Sequence, residues 1–194
     1  IATDGRHFGY QFTIFRRALA PGTPEAKSSL ATSQIYFAHF AVTDSAVNAH
    51  REFQRFSRGA GGLAGAASDP FRVFVEDWSA SAVPSTRRAG LDAAAVRLVA
   101  RSDGYAIDLT LDSAKPMVRH GDRGLSQKSP EPGNASYYYS YTRMDTRGAV
   151  TTPGGSAQVA GESWMDHEWS TSVLGADTRG WDWFSLQLSD GTEL

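Results

Sequence analysis

The chain has 194 residues, of which 41% are hydrophobic, and a formal net charge of −2. This composition is typical of a folded globular chain and excludes a disordered one, and the scattered basic pairs form no stripe that would favour nucleic acid as a partner. The absence of cysteine excludes disulfides, thiol catalysis and thiolate metal sites. No run of about eighteen apolar residues occurs, so no membrane span is predicted.

Most of the chain has the sequence pattern of β-strands. After Phe8, the stretch HFGYQFTIFRRALA alternates apolar residues with small or polar ones, which is the two-residue period of a half-buried strand. Within residues 44–70 we predict one strand followed by a loop of small residues. Further strands are predicted in QIYFAHFAVTD, FRVFVEDWSA, AAVRLVARSD, YAIDLTLDSA, ASYYYSYTRM, AQVAGESWMDHEWS and DWFSLQLS.

Turn signals separate most of these strands. They are TDG at 3–5, SDG at 102–104, PGG at 153–155 and SDG at 189–191. Short strands at a spacing of roughly 8 to 12 residues predict an antiparallel barrel or sandwich. Two long stretches, 20–33 and 117–136, are predicted to be irregular, and the second is a candidate cover for one mouth of a barrel or else a solvated connection.

The two ends indicate a piece of a longer protein. The first residue is Ile1 rather than methionine, and the chain stops in LQLSDGTEL, where SDG is typical of a hairpin turn whose second strand has hardly begun. We therefore expect a fragment or a processed chain.

Several stretches together resemble one family. They are FGYQFTIFRRALAP, IYFAHFAVTD, GLAG, PFRVFVEDWS, GDRGLSQKSPEPGNASYYYSYTRM, GESWMDHEWSTS and GWDWFSLQLSDGTEL. This combination resembles the AttH and carotenoid 1,2-hydratase (hydroxyneurosporene synthase) family of lipocalin-like proteins, often labelled predicted secreted hydrolases. The resemblance covers nearly the whole chain and is most specific from Gly121 to Leu194.

The resemblance implies an all-β fold of two consecutive antiparallel lipocalin-like barrels. Residues 1–180 would then be an N-terminal barrel lacking its first strand, and residues 181–194 its last strand or the start of the second barrel. It also implies a secreted or periplasmic full-length protein, although no signal peptide is seen in this chain. The expected partners are a hydrophobic small molecule and the second barrel.

The stretch GESWMDHEWSTS contains the densest group of side chains suited to acid–base catalysis. Strand alternation places Trp164, Asp166 and Glu168 on one face, and His167 and Trp169 on the other. Residue type alone favours the tryptophan and methionine face as the core. The resemblance favours the other face, because an aromatic residue and an aspartate two positions apart are implicated in the active centre of the hydratase branch, and Trp164 and Asp166 match that spacing.

The chemistry expected of this face is acid–base catalysis without a cofactor. Enclosure by aromatic rings, and the like charge of Glu168, would favour the protonated form of Asp166, which could then act as a general acid. His39, set in YFAHFAV, is the second catalytic candidate or else a core histidine. The candidate substrate contacts, which could equally be structural, are Trp164, Tyr137, Tyr139, Trp78, Tyr36 and Gln34.

Metal and nucleophile motifs are not predicted. Alternation separates His167 from Asp166 and Glu168, so these three cannot share one ion without a bulge. The stretch GAGGLAGAA lacks the context of a phosphate-binding loop, and no G-x-S-x-G motif occurs. Two functions remain open, namely a cofactor-independent hydratase or hydrolase acting on an isoprenoid or lipid-like substrate, and a non-catalytic carrier of a hydrophobic ligand.

Overall fold

The computed structural model of the protein describes residues 1–19, 28, 31–86, 94–170, 175, 179–180 and 182–194. Within these ranges the secondary structure consists of twelve β-strands, with no helix. They are β1 (Phe8–Ala18), β2 (Gln34–Asp44), β3 (Ala49–Arg58), β4 (Ala64–Ser68), β5 (Phe71–Val75), β6 (Trp78–Ala82), β7 (Ala95–Ser102), β8 (Tyr105–Ser113), β9 (Val118–Arg119), β10 (Leu125–Gln127), β11 (Ala135–Thr152) and β12 (Gly155–Trp169). The described residues contain no helix that is long and apolar enough to cross a membrane.

The strands form two sheets. One has the order β1-β2-β3, and the other has the order β10-β11-β8-β7-β6-β5-β4, with β12 and β9 also pairing with β11. The pairs β1–β2, β2–β3, β4–β5, β5–β6 and β6–β7 are antiparallel, and short turns join β2 to β3, β4 to β5 and β5 to β6. Asp103 and Gly104 have φ angles of 47° and 81°, which is the conformation that the predicted SDG turn between β7 and β8 requires.

Three predictions of elements are wrong in detail. FRVFVEDWSA forms two strands rather than one, because Glu76 (φ 56°) and Asp77 make a tight turn that pairs Val75 with Trp78. The predicted loop after β3 contains β4. DWFSLQLS forms no strand over its described residues beyond the single bridge between Gln187 and Glu193. The predicted loop 20–33 lies outside the described residues except at 28 and 31–33.

The chain divides into two compact units. Unit 1 comprises Ile1–Pro84, Ala95–Leu111 and Thr146–Gly161, and unit 2 comprises Ser85–Ala94, Asp112–Asp145 and Glu162–Leu194. The core of unit 1 surrounds Trp78, which is 0% exposed and whose ring lies 5.6 Å from that of Phe40. The indole Nε1 of Trp78 donates to the carbonyl of Arg101 at 2.9 Å, so its polar atom is satisfied inside the core.

In unit 2, the segment predicted as loop 117–136 carries short strands. β9 and β10 both pair with β11, so that Arg119 lies opposite Tyr139 and Leu125 lies opposite Tyr137. Gly121 in the turn between them has φ 62°, and a Cβ atom there would lie 2.2 Å from the carbonyl oxygen of Leu125. This turn therefore requires glycine.

Ion pairs of low exposure hold the last residues of unit 2. Arg143 Nε lies 2.7 Å from Oε1 of Glu193, whose other oxygen lies 2.6 Å from Lys115 Nζ. The side chains of Arg143 and Glu193 are only 16% and 11% exposed. Arg143 also contacts Glu162 at 2.7 Å and donates to the carbonyl of Leu188.

Candidate functional site

The two faces predicted for β12 are confirmed by its contacts with β11. On one face Asp166 is hydrogen-bonded to Tyr138 and Ser140. On the other face the hydroxyl of Tyr139 lies 2.7 Å from Nδ1 of His167. Since neighbouring strand residues point to opposite sides, the carboxylate face and the His167 face belong to different surfaces of unit 2.

Asp166 is a half-buried carboxylate held through one oxygen. Its Oδ1 atom accepts hydrogen bonds from Tyr138 Oη at 2.9 Å, from Trp164 Nε1 at 2.9 Å and from the buried hydroxyl of Ser140. No described residue donates to Oδ2. Donors to a carboxylate favour its ionised form and hold its orientation. The arrangement leaves Oδ2 as the oxygen available to a proton, a water or a substrate.

A histidine reaches this carboxylate through Ser140. His120 Nε2 lies 2.7 Å from Ser140 Oγ, and the Ser140 hydroxyl donates to Asp166. Because a hydroxyl has one proton to donate, His120 must be the donor to Ser140, so its Nε2 carries hydrogen. His120, Ser140 and Asp166 thus form a continuous chain along which a proton can move.

Tyr138 contacts both ends of this hydrogen-bonded chain, His120 and Asp166. Its ring stacks on His120 with the centroids 4.0 Å apart, and its hydroxyl accepts a hydrogen bond from Trp183 Nε1 at 3.3 Å. Burial is the largest cause of the raised pKa of the Tyr138 phenol. The hydrogen bond from Trp183 lowers the pKa, the hydrogen bond and charge of Asp166 raise it, and Ser140 lowers it slightly. Tyr138 is therefore a neutral donor to Asp166 at physiological pH.

Glu168 is neutralised by a cation rather than coupled to Asp166. Its Oε1 atom lies 2.8 Å from Lys128 Nζ and accepts a hydrogen bond from the buried Ser136 hydroxyl. Burial raises the pKa of Glu168, but the hydrogen bonds from Lys128 and Ser136 and the charge of Lys128 together outweigh it, so the pKa lies below its ordinary value. Glu168 is consequently an anion near neutral pH and does not act as the acid.

Tyr137 and Tyr139 lie on the face opposite Asp166, which corrects their grouping with it. Tyr137 stacks on Trp169 with ring centroids 5.6 Å apart, and Tyr139 contacts His167 and Trp169. Burial and the nearby Tyr141 raise the pKa of Tyr139, whose hydroxyl is hydrogen-bonded to Nδ1 of His167. The tyrosine beside Asp166 is Tyr138.

The remaining candidates lie in unit 1. His39 is exposed, next to Phe15 at a ring distance of 5.6 Å, and so is not a core histidine. Trp78 and Tyr36 are buried by packing rather than placed on an open cavity wall. Tyr36 donates to the side chain of Gln34 at 3.1 Å. Asp166, the predicted acid, has Trp164 and Glu168 as the predicted residues on its face, and the contact between Tyr36 and Gln34 joins no predicted catalytic residue.

Sequence reasoning missed His120, Ser140, Tyr138 and Lys128. His120 and Lys128 fall in the segment predicted as a loop, and Tyr138 was placed opposite to the tyrosines chosen as ligand contacts. One signal was available, because the polar positions Ser136 and Ser140 alternate with Tyr138 along a strand otherwise rich in aromatic residues. Among the described residues, no group of three or more acidic or histidine side chains is placed to hold a metal ion.

Comparisons with known proteins agree with this architecture. The AttH-like family model matches residues 1–194, whereas no curated protein matches the sequence. A crystal structure assigned as an AttH from Nitrosomonas europaea is similar at TM-score 0.79 and 30% identity, covering 99% of this chain and 55% of that one. Kievitone hydratase from Nectria haematococca is similar at TM-score 0.63 and 12% identity, covering 88% of this chain and 45% of that one.

This chain therefore spans about half the length of each of these two proteins. The strand content, the antiparallel pairing and the two structural matches confirm the predicted all-β, lipocalin-like fold. The match over the whole sequence leads to one conclusion, that the chain belongs to the AttH-like family.

Proposed function

We propose that unit 2 carries the acid–base site of a cofactor-independent enzyme that adds water to, or hydrolyses, a hydrophobic isoprenoid or lipid-like substrate. The observation that carries the proposal is the geometry of Asp166, whose Oδ1 is held by three donors while Oδ2 is left to the ligand. Membership of the AttH-like family and the fold shared with a hydratase support it.

In this proposal Asp166 exchanges a proton with the substrate at Oδ2. For hydration, protonated Asp166 donates to one carbon of a double bond, a water oxygen bonds to the other carbon, and the proton released by that water returns to Oδ2. For hydrolysis, the carboxylate takes the proton from the attacking water and passes it to the leaving group. The ring face of Trp164 would stabilise positive charge that develops nearby.

His120 holds the carboxylate in place through Ser140. The proton that Oδ2 gives up in the acid step is returned by the attacking water, so the cycle needs no other source of protons. His120 donates to Ser140, whose hydroxyl donates to Oδ1, and this chain fixes the direction in which Oδ2 points. His120 replaces His39 as the partner of Asp166, and Glu168 with Lys128 forms a polar wall of the site.

The test uses the purified protein and Asp166→Asn, which keeps the shape of the side chain but cannot exchange a proton. Substrates are isoprenoid alkenes, with products detected by the added mass of water, and apolar 4-nitrophenyl esters. Asp166→Asn should lower turnover by about 100-fold or more. The matched control is Asp122→Asn, an exposed aspartate of the β9–β10 turn, which should leave turnover unchanged.

Two results would contradict the proposal. Full turnover by Asp166→Asn would exclude Asp166 as the acid–base group. Absence of turnover on the whole panel, together with a co-purified apolar ligand in native mass spectra of both proteins, would instead favour the carrier.

A further inference from the structure

The His167 face of unit 2 has a pocket of its own. Its volume is about 120 Å³. The side chains that matter here are two arginines and three aromatic rings, namely Arg119, Arg123, Tyr137, Tyr139 and Trp169. Tyr139 lies on this face beside His167, and Tyr138, which donates to Asp166, also borders the pocket.

The aromatic wall of the pocket is unusually open to water. Tyr137 and Trp169 are 55% and 49% exposed, although their rings stack on each other at an angle of 24° with the centroids 5.6 Å apart. Tyr139 meets Trp169 edge to face at 6.2 Å and holds it from a second side. Exposed, fixed aromatic surface of this kind is favourable for burying another ring.

Two guanidinium groups border this wall. Arg119 lies opposite Tyr139 in the strand register and has no carboxylate partner among the described residues. Arg123 pairs only with its neighbour Asp122 at 3.3 Å, and both side chains are at least 79% exposed, so this pair is weak. Arg123 lies at the edge of the pocket. Its φ angle of 51° is a left-handed conformation, which is costly for a residue with a side chain.

We propose that this pocket binds a single-ring aromatic carboxylate. The ring packs against Tyr137 and Trp169, and the carboxylate accepts N–H donors from Arg119 and Arg123, whose planar forks match its geometry. A cavity of about 150 Å³ holds one benzene, so a pocket of about 120 Å³ encloses most of a single ring and is too small for a lipid chain. The site is independent of the catalytic proposal.

The probe is 4-fluorobenzoate, followed by ligand-observed fluorine NMR with the whole chain. Saturable binding is expected, whereas the uncharged 4-fluorobenzyl alcohol should bind at least about tenfold more weakly, because one charge-assisted hydrogen bond contributes that much. Arg119→Gln and Trp169→Leu should each weaken binding by about tenfold or more. Arg123→Asn provides a second cation variant that tolerates the left-handed turn, should Arg119→Gln fail to fold.

The controls separate this site from others. Arg72→Gln removes an arginine that also lies beside an aromatic ring, Phe74 in unit 1, and should bind like the original protein. Asp166→Asn should also bind normally. Absence of saturable binding up to about 10 mM, unchanged binding in the arginine variants, or binding lost in Asp166→Asn would each overturn the proposal.

Discussion

The hydroxyl of Tyr138 donates a hydrogen bond from β11 to Oδ1 of Asp166 on β12, at 2.9 Å. Burial raises the pKa of the Tyr138 phenol, so its hydroxyl keeps its proton and remains a hydrogen-bond donor to the carboxylate. The pair therefore acts as a fixed donor and a proton-exchanging acceptor rather than as two competing acids.

Replacement of Tyr138 by phenylalanine tests the value of this donor. The ring and its stacking on His120 remain, but Asp166 loses one hydrogen bond and Trp183 loses its acceptor. We expect a fall in turnover of about tenfold to 100-fold, because a hydrogen bond to a charged group contributes about 1.5–3 kcal/mol. Tyr137→Phe is the matched control on the opposite face, and an equal loss in both variants would refute the role of Tyr138.

His120→Leu tests how this chain positions Asp166. A leucine cannot donate to Ser140, so the hydroxyl that donates to Asp166 loses its own fixed donor. We expect lower kcat with little change in KM, and recovery of most of the kcat in His120→Gln, because a glutamine amide can still donate to Ser140. His50→Gln, which alters an exposed histidine bonded to Thr43, should leave kcat unchanged. An equal loss of kcat in His120→Leu and His120→Gln would contradict a positioning role for His120.

The pair of Glu168 and Lys128 predicts a pH dependence of stability. Burial raises the pKa of Glu168, but Lys128 and Ser136 outweigh it and hold the pKa below the ordinary value of 4.5. A depressed pKa contributes stability that is present above about pH 4.5 and lost as the pH falls through the folded value. Glu168→Gln should thus lower the Tm most above that pH.

Solvent screening limits the size of this effect. Since the side chain is 36% exposed, we expect a difference in Tm of at most about 2–4 °C near pH 7, decreasing towards about pH 3. Thermal unfolding across this range measures it, with Glu52→Gln on β3 as the control for loss of a carboxylate. A difference that stayed constant with pH would contradict the assignment.

Gly121→Ala tests the turn that holds β9 and β10. A left-handed φ alone costs about 1–2 kcal/mol, and Gly5→Ala, at φ 84° in open space, measures that cost. At Gly121 the new methyl group would also collide with the Leu125 carbonyl, so we expect a clearly larger loss of unfolding free energy. Hydrogen exchange at the β9 and β10 amides should rise in Gly121→Ala only, and equal effects in both variants would exclude the clash.

Strand alternation was enough to predict which residues of β12 share a face. It worked because a two-residue period is a property of any extended chain and needs no knowledge of neighbours. The choice among the tyrosines of β11 failed for the opposite reason. Whether Tyr138 or Tyr139 meets Asp166 depends on the pairing of two strands, which the period of one strand does not contain.

His120 could not be found by periodicity. It follows β9, which has two residues, and precedes β10, which has three, so neither strand is long enough to show an alternation. The glycines and prolines around it favour a loop. Only the pairing of both short strands with β11 brings the imidazole to Ser140.

The ion pairs of Arg143 and Lys115 with Glu193 have a consequence for the distant end of the same segment. Trp183 is ten residues before Glu193, and its contact with Tyr138 depends on how the intervening chain is held. The salt bridges thus help to hold the segment that carries Trp183. A chain shortened before Glu193 would keep every residue of the Asp166 network and still lose the tether that holds Trp183 against it.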